Sequence, residues 1–220
     1  MDYLRLEPHL EPFGLYCGIV LTESGAPITH VYFPTEGIVS VLVELENETP
    51  MEIAFIGNEG MVGTSLLLGG LGAPAPLRRS VVQVPGQAYR MRAEILFAEF
   101  ARGGKLCHWL LRFTQALITQ VAQIAACARH HELEAQVCCW LLHRLDRLAS
   151  DDLHVTHKEI ASLLGVRREG VTQVACNLQE AGLIRYARGY LEVLDRVGIE
   201  RRACECVNVI QKEYARLLGA

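Results

Sequence analysis

Residues 156–172 read Thr-His-Lys-Glu-Ile-Ala-Ser-Leu-Leu-Gly-Val-Arg-Arg-Glu-Gly-Val-Thr, and the fold turns on how this stretch is read. Thr156 and Glu159 stand at capping-box spacing. The hydroxyl can accept from the amide three residues on, and the carboxylate can reach back to the Thr156 amide. A short helix is therefore predicted up to Leu164, with Ile160, Leu163 and Leu164 on its buried side. Ala161 is small where a second helix must cross, and Gly165 supplies the permissive backbone for the turn between them. Val166, Val171 and Val174 then set the inner face of the second helix, and Arg167, Arg168, Glu169, Thr172 and Gln173 face outward. Ala161, Gly165 and Val171, the fifth, ninth and fifteenth residues counted from His157, mark a helix-turn-helix more specifically than either helix alone. The bland alternative is a helical hairpin that only packs.

In a DNA major groove the first turn of the second helix faces base edges. Arg168 can donate to guanine O6 and N7, Glu169 can accept from cytosine N4, and Gln173 can pair with adenine. Thr156, Lys158, Arg167 and Thr172 are expected on phosphates, which fix register without reading sequence. Downstream, Leu183 to Leu194 reads as a hairpin turning at Arg188-Gly189. Its tip, with Arg188 between Tyr186 and Tyr190, is expected to lie on the DNA backbone as a wing.

Upstream of Arg92 the chain is β-rich. Short β-branched and aromatic runs at His30–Phe33, Ile38–Val43, Met51–Ile56 and Ser80–Val84 are punctuated by Pro34-Thr-Glu-Gly37 and Pro85-Gly86, which predicts a sandwich or jelly roll. Gly57, Gly60 and Gly63 have the spacing GxxGxxG rather than a dinucleotide fingerprint, and read as barrel corners. Beyond Arg92 the texture changes. Leu106, Leu110, Phe113, Leu117, Gln120, Ile124 and Cys127 step by four and three along one long helix, an a/d seam. Leu111, Ile118, Val121, Ala122 and Ala125 make its other side apolar too. Such a helix needs two partners. The expected arrangement sets one face on the β-domain and the seam, with Gln120 as a register-setting polar residue, on a second copy. His130-His131-Glu132 interrupts the pattern as a hinge, Val137 to Leu148 forms a further helix, and residues 150–152 break it.

The whole chain carries a formal net charge of −4, which on its own argues against nucleic acid. Residues 158–190, however, hold five basic side chains against three acidic ones, a modest footprint adequate for phosphate contacts. The N-terminus shows no basic, then apolar, leader. The longest uncharged helical stretch, Phe113–Ala128, contains two threonines and three glutamines, unlike a membrane span. The eight cysteines include no CxxC pair, and are read as reduced thiols in a cytoplasmic protein. Cys138-Cys139 and Cys204-x-Cys206 lack four ligands at zinc spacing, so no metal and no cofactor are predicted. Cys127, placed in the seam, raises a redox reading across a dimer.

Taken together, residues 156–172, Leu178-Gln-Glu-Ala-Gly-Leu-Ile184, the Tyr32-Phe-Pro-Thr-Glu-Gly37 turn and the Gly57-Asn-Glu-Gly-Met-Val-Gly63 corner resemble the Crp/Fnr family of bacterial transcription regulators. The resemblance implies an α+β chain in three parts. Residues 1–104 would form a cyclic-nucleotide-binding-like jelly roll, 105–130 a dimerisation helix and 131–220 a winged helix-turn-helix domain. It places Arg168 and Glu169 on base-contacting positions, and puts Gln173 where a second arginine is usual. It implies an effector pocket at Gly63, Thr64, Arg79 and Ser80. Cyclic-AMP-binding members grip the ribose with a Gly-Glu pair, whereas Gly63 is followed by Thr64 here. The adenine-binding hydroxyls of such members fall on Val121-Ala122, so weak or no cyclic AMP binding is expected. Iron–sulfur members gather N-terminal cysteines, of which only Cys17 is present; His30 and His108 are the candidates for the haem ligand of other members. The implied protein is a homodimer on a pseudo-palindromic double-stranded operator, recruiting or blocking RNA polymerase. It is not an enzyme, since no catalytic constellation emerges. The alternative is a ligand-sensing or redox-sensing interaction module whose helix-turn-helix is structural.

Overall fold

The computed structural model describes residues 2–46, 49–73, 78–148 and 152–219. The chain runs α1 (Asp2–Leu6), a 3-10 turn (Glu7–His9), β1 (Glu11–Leu15), β2 (Val20–Thr22), β3 (His30–Pro34), β4 (Ile38–Val43), β5 (Met51–Ile56) and α2 (Ser65–Gly69). It continues through β6 (Arg79–Val84), β7 (Gly86–Arg92), α3 (Ala93–Phe100), α4 (Lys105–His130) and α5 (Leu133–Leu145). The last part comprises β8 (Asp152–His154), α6 (His157–Leu164), α7 (Arg168–Glu180), β9 (Ile184–Ala187), β10 (Tyr190–Val193), α8 (Arg196–Arg202) and α9 (Cys206–Leu218). The break expected at 150–152 lies mostly outside the described residues. No helix among the described residues is long and apolar enough to cross a membrane.

Two antiparallel sheets, ordered β1-β7-β3 and β2-β6-β4-β5, make the N-terminal roll. β4 is apolar on both faces and sits inside its sheet, with Ile38, Val39, Val41 and Leu42 all buried. Three strands of the roll, β1, β2 and β7, were silent in the sequence. β1 contains Pro12 and Gly14 and lies at a sheet edge, where proline's missing donor costs nothing. The central β7 alternates polar and buried residues too irregularly to register as a run.

Helix α4 closes the roll. Phe113 is fully buried, stacks on Trp109 with ring centroids 5.8 Å apart and meets Tyr214 of α9 edge-on at 6.5 Å. A Cβ on Gly60 would stand 2.1 Å from the Phe113 ring, so the corner needs glycine for this helix to seat. The expected dimer seam is thereby corrected. Leu110, Phe113 and Gln120 are 0% exposed, Leu117 and Cys127 8%, and Leu106 and Ile124 are half-buried, all within one protomer. These side chains face the roll and α9, which packs back along α4. Gln120 is no register-setter between copies. Its Oε1 accepts from the Phe55 amide on the outer edge of β5 at 3.0 Å, and its Nε2 donates to the Tyr214 hydroxyl at 3.2 Å. The opposite stripe stays open: Leu111, Gln115, Ile118, Ala122, Ala125 and Arg129 are all exposed. Both stripes step by four and three, and the bulkier one was taken by the protein's own core.

A second core surrounds α5, α6 and α7, with the sheet β8-β10-β9 beside them. It is keyed to the roll by buried charge. Arg144 Nη2 lies 2.6 Å from both Glu52 carboxylate oxygens, the side chains being 1% and 4% exposed. The Ser40 hydroxyl donates to the same carboxylate, and the Arg144 guanidinium lies over Trp140 at 4.0 Å. Nearby, His143 stacks on Phe55 at 4.8 Å. Burial, and then the charges of Arg147 and Arg144, push its pKa down to about 3, so this ring is neutral.

Candidate nucleic-acid interface

The capping box forms as its residue types require. The Glu159 amide donates to Thr156 Oγ1 at 3.2 Å, and the Thr156 amide donates to Glu159 Oε2 at 2.6 Å. Gly165 ends α6 in the left-handed region at φ 65°, where a side chain would be strained. α7 buries Val171, Val174, Ala175 and Leu178 against α5 and α6. A helix with that inner face must turn Arg168, Glu169 and Gln173 outward, and all three are exposed. The Gln173 side-chain amide donates to Asn177 Oδ1 at 2.9 Å, one turn along the same face.

The residues expected on phosphates divide into two groups. Lys158, Arg167 and Arg188 are exposed, and among the described residues no carboxylate forms an ion pair with them or with Arg168. Thr156 and Thr172 are not free in the same way. The Thr156 hydroxyl donates to Glu159 Oε2 at 2.8 Å, and that of Thr172 donates to the Arg168 carbonyl at 3.0 Å. His157 Nδ1 lies 3.0 Å from the Thr172 hydroxyl. The His157 ring stacks on Tyr186 at 4.3 Å, and the Tyr186 hydroxyl donates to the Val155 carbonyl at 2.9 Å. Burial and the neighbouring Arg168 lower the His157 pKa. This chain of contacts, which the sequence did not reveal, fastens β9 to the start of α6 and hence the hairpin to the two helices.

The hairpin tip is a two-residue loop, since Ala187 pairs directly with Tyr190. Arg188 at φ 52° and Gly189 at φ 81° both take positive φ, the signature of a type I′ turn. Arg188 is the only non-glycine in that region among the described residues. Arg185 by contrast is paired with Glu192 at 2.7 Å.

In the roll, Gly63, Thr64 and Ser80 line a cavity of about 330 Å³ together with Thr22, Thr114, Ile118 and Val121. Arg79 does not reach it. Successive residues of a strand point to opposite faces, so Arg79 and Ser80 cannot both look inward. Arg79 pairs with Glu44 at 2.9 Å, and the arginine that lines the cavity is Arg78. Burial lowers the pKa of Arg78. No carboxylate lines this cavity among the described residues.

Comparison with known proteins agrees with this geometry. The Crp-like helix-turn-helix domain matches residues 135–202. The transcriptional regulator LdrP of Thermus thermophilus is 31% identical over 131 residues, covering 54% of this chain and 67% of that protein. The fold is similar to that of FixK2 from Bradyrhizobium japonicum, with a TM-score of 0.73 at 14% identity over 89% of this chain and 98% of that one. It is similar also to a crp/fnr-family regulator from Eubacterium rectale, with a TM-score of 0.72 at 16% identity over 91% and 92% of the two chains. A roll closed by a long helix, followed by a capped helix-turn-helix and a wing, in a chain that shares nearly a third of its aligned residues with LdrP, makes this protein a member of the Crp/Fnr family of DNA-binding transcription regulators.

Proposed function

We propose that the protein is a homodimeric, sequence-specific regulator that reads a pseudo-palindromic operator through Arg168, Glu169 and Gln173. The observation that carries this reading is that these three side chains are exposed on α7, while Lys158, Arg167 and the wing's Arg188 are exposed too and have no carboxylate partners among the described residues. The wing tip meets the start of α6, where the Val155 amide donates to the Gly189 carbonyl at 2.9 Å. The division into a sensor (1–104), a helix (105–130) and an output domain (131–220) follows the same reading. The exposed stripe Leu111–Ile118–Ala122–Ala125 of α4, rather than the buried seam, is then the surface for the second copy. The roll cavity, with Arg78 and hydroxyls from Thr22, Thr64 and Ser80, suits a small anionic effector. Among the described residues no carboxylate lines it to hold a ribose, which disfavours cyclic AMP. Bound at an operator, the dimer would recruit or block RNA polymerase.

The test is selection of binding sites from genomic fragments, followed by anisotropy titrations at fixed salt. Arg168→Ala should cost roughly 1–3 kcal/mol, about 5- to 150-fold in affinity, and relax preference at one base pair per half-site. A loss equal across all sequences would instead make Arg168 a phosphate contact and remove it as a base reader.

A further inference from the structure

The C-terminal end of α4 and the segment between α8 and α9 bring together four side chains that the sequence scatters over 80 positions. Cys127 and His131 stand one turn apart, with the His131 amide closing the helix on the Cys127 carbonyl at 3.0 Å. Cys204 and Cys206 approach from the other side. The three Sγ atoms and a ring nitrogen of His131 all lie within 4.8 Å of one another. Cys127 Sγ is 3.5 Å from Cys204 Sγ, and Cys206 Sγ is 3.5 Å from His131 Nδ1. All three are free thiols.

We propose that Cys127, His131, Cys204 and Cys206 form a Cys₃His site for one tetrahedral thiophilic metal ion, of which zinc is the representative. Bonds of about 2.3 Å to sulfur and 2.0–2.1 Å to nitrogen place tetrahedral ligand atoms roughly 3.6–3.8 Å apart. Two of the observed edges are already close to that length, and the widest needs to close by about 1 Å. An iron–sulfur cluster, which inserts its own iron and sulfide atoms between the thiolates, would hold them further apart.

The surroundings fit an ion as well. Glu205 Oε1 lies 3.4 Å from His131 Nε2. That leaves Nδ1 directed at the thiols and oriented by a carboxylate, an arrangement common behind metal-bound histidines. Gln123 Nε2 donates to Cys206 Sγ at 3.1 Å, and Cys139 Sγ lies 3.2 Å from Cys204 Sγ. Both can donate hydrogen bonds to a thiolate. Thiols must lose their protons to ligate an ion, so binding must weaken as pH falls. The ion would join α4, which closes the roll, to the α8–α9 junction, and so fix the helix-turn-helix against the sensor half.

The experiment uses the full chain, reduced and freed of metal, titrated with Co²⁺ as the probe and then with Zn²⁺ in competition. One Co²⁺ per chain is expected, with thiolate-to-cobalt charge transfer and the intense visible bands of tetrahedral cobalt, both erased by zinc. His131→Ala and Cys206→Ser should lose these bands. Glu205→Gln, at a side chain 73% exposed where misfolding is not in question, should weaken binding about 10- to 100-fold. Cys176→Ser, exposed and outside the cluster, should bind as the natural chain does. Absence of a thiolate–cobalt band in the natural chain at excess Co²⁺ would overturn the proposal. So would unchanged affinity in His131→Ala and Glu205→Gln together.

Discussion

The ion pair between the two halves gives the most quantitative prediction. Glu52→Gln preserves volume and one acceptor oxygen but removes the only carboxylate that pairs with Arg144 among the described residues. Burial lowers the Arg144 pKa and the Glu52 charge counters it. With Arg144 at 1% exposure, its orphaned charge cannot turn to water. Coulomb attraction at about 4 Å and an effective dielectric near 20 is roughly 4 kcal/mol, in line with the 3–5 kcal/mol typical when one partner of a buried pair is removed. The retained amide oxygen puts the expectation at about 3 kcal/mol. For a chain of this size that lowers Tm by roughly 6–12 °C. Urea unfolding followed by fluorescence reports it directly, because Trp140 lies under the Arg144 guanidinium at 4.0 Å. Glu52→Leu combined with Arg144→Met should recover much of the loss, since an apolar pair of similar volume avoids desolvating two ions. A double-mutant cycle should therefore show coupling above about 1 kcal/mol. A Glu52→Gln loss under about 0.5 kcal/mol, or additive effects in the cycle, would refute this account of how the roll is keyed to α5.

Two further perturbations address the proposed function. Arg188→Asn places a residue that tolerates positive φ at the wing tip, and should stabilise the fold by about 0.5–1 kcal/mol in thermal unfolding. The same change should weaken DNA binding evenly across sequences and reduce the salt slope by about 1; an effect confined to one base pair would contradict a backbone role. Leu111→Glu sets a charge on the open stripe of α4, where Leu111 is 44% exposed. Sedimentation should show the dimer dissociating at concentrations that keep the natural chain paired, and an undiminished dimer mass would exclude this face.

The helix-turn-helix was legible because every signal in it is local. A capping box spans four residues, a left-handed glycine acts at its own position, and a 3.6-residue period repeats within one helix. Strands β4 and β5 were equally plain, being short runs in which apolar residues outnumber the single polar one, Ser40 or Glu52. The pocket arginine was misread by one residue, and in a strand one residue reverses the face. Strand β1 was hidden by Pro12 and Gly14, which an edge position tolerates.

What the sequence determined alone is therefore the output element: two helices, the turn between them, and which side chains the second must present. For α4 it determined only that two apolar stripes exist. Periodicity ranks faces but does not say what covers each. That choice was settled by Gly60, by the Phe55 amide and by Tyr214, partners 53, 65 and 94 residues away in the chain from the side chains they meet. The cysteine cluster belongs to the same class. Cys127 and Cys204 are 77 residues apart, and no spacing rule connects them. Only the return of α9 along α4, which buries Ile210 and Tyr214 against the same core as Phe113, brings them together.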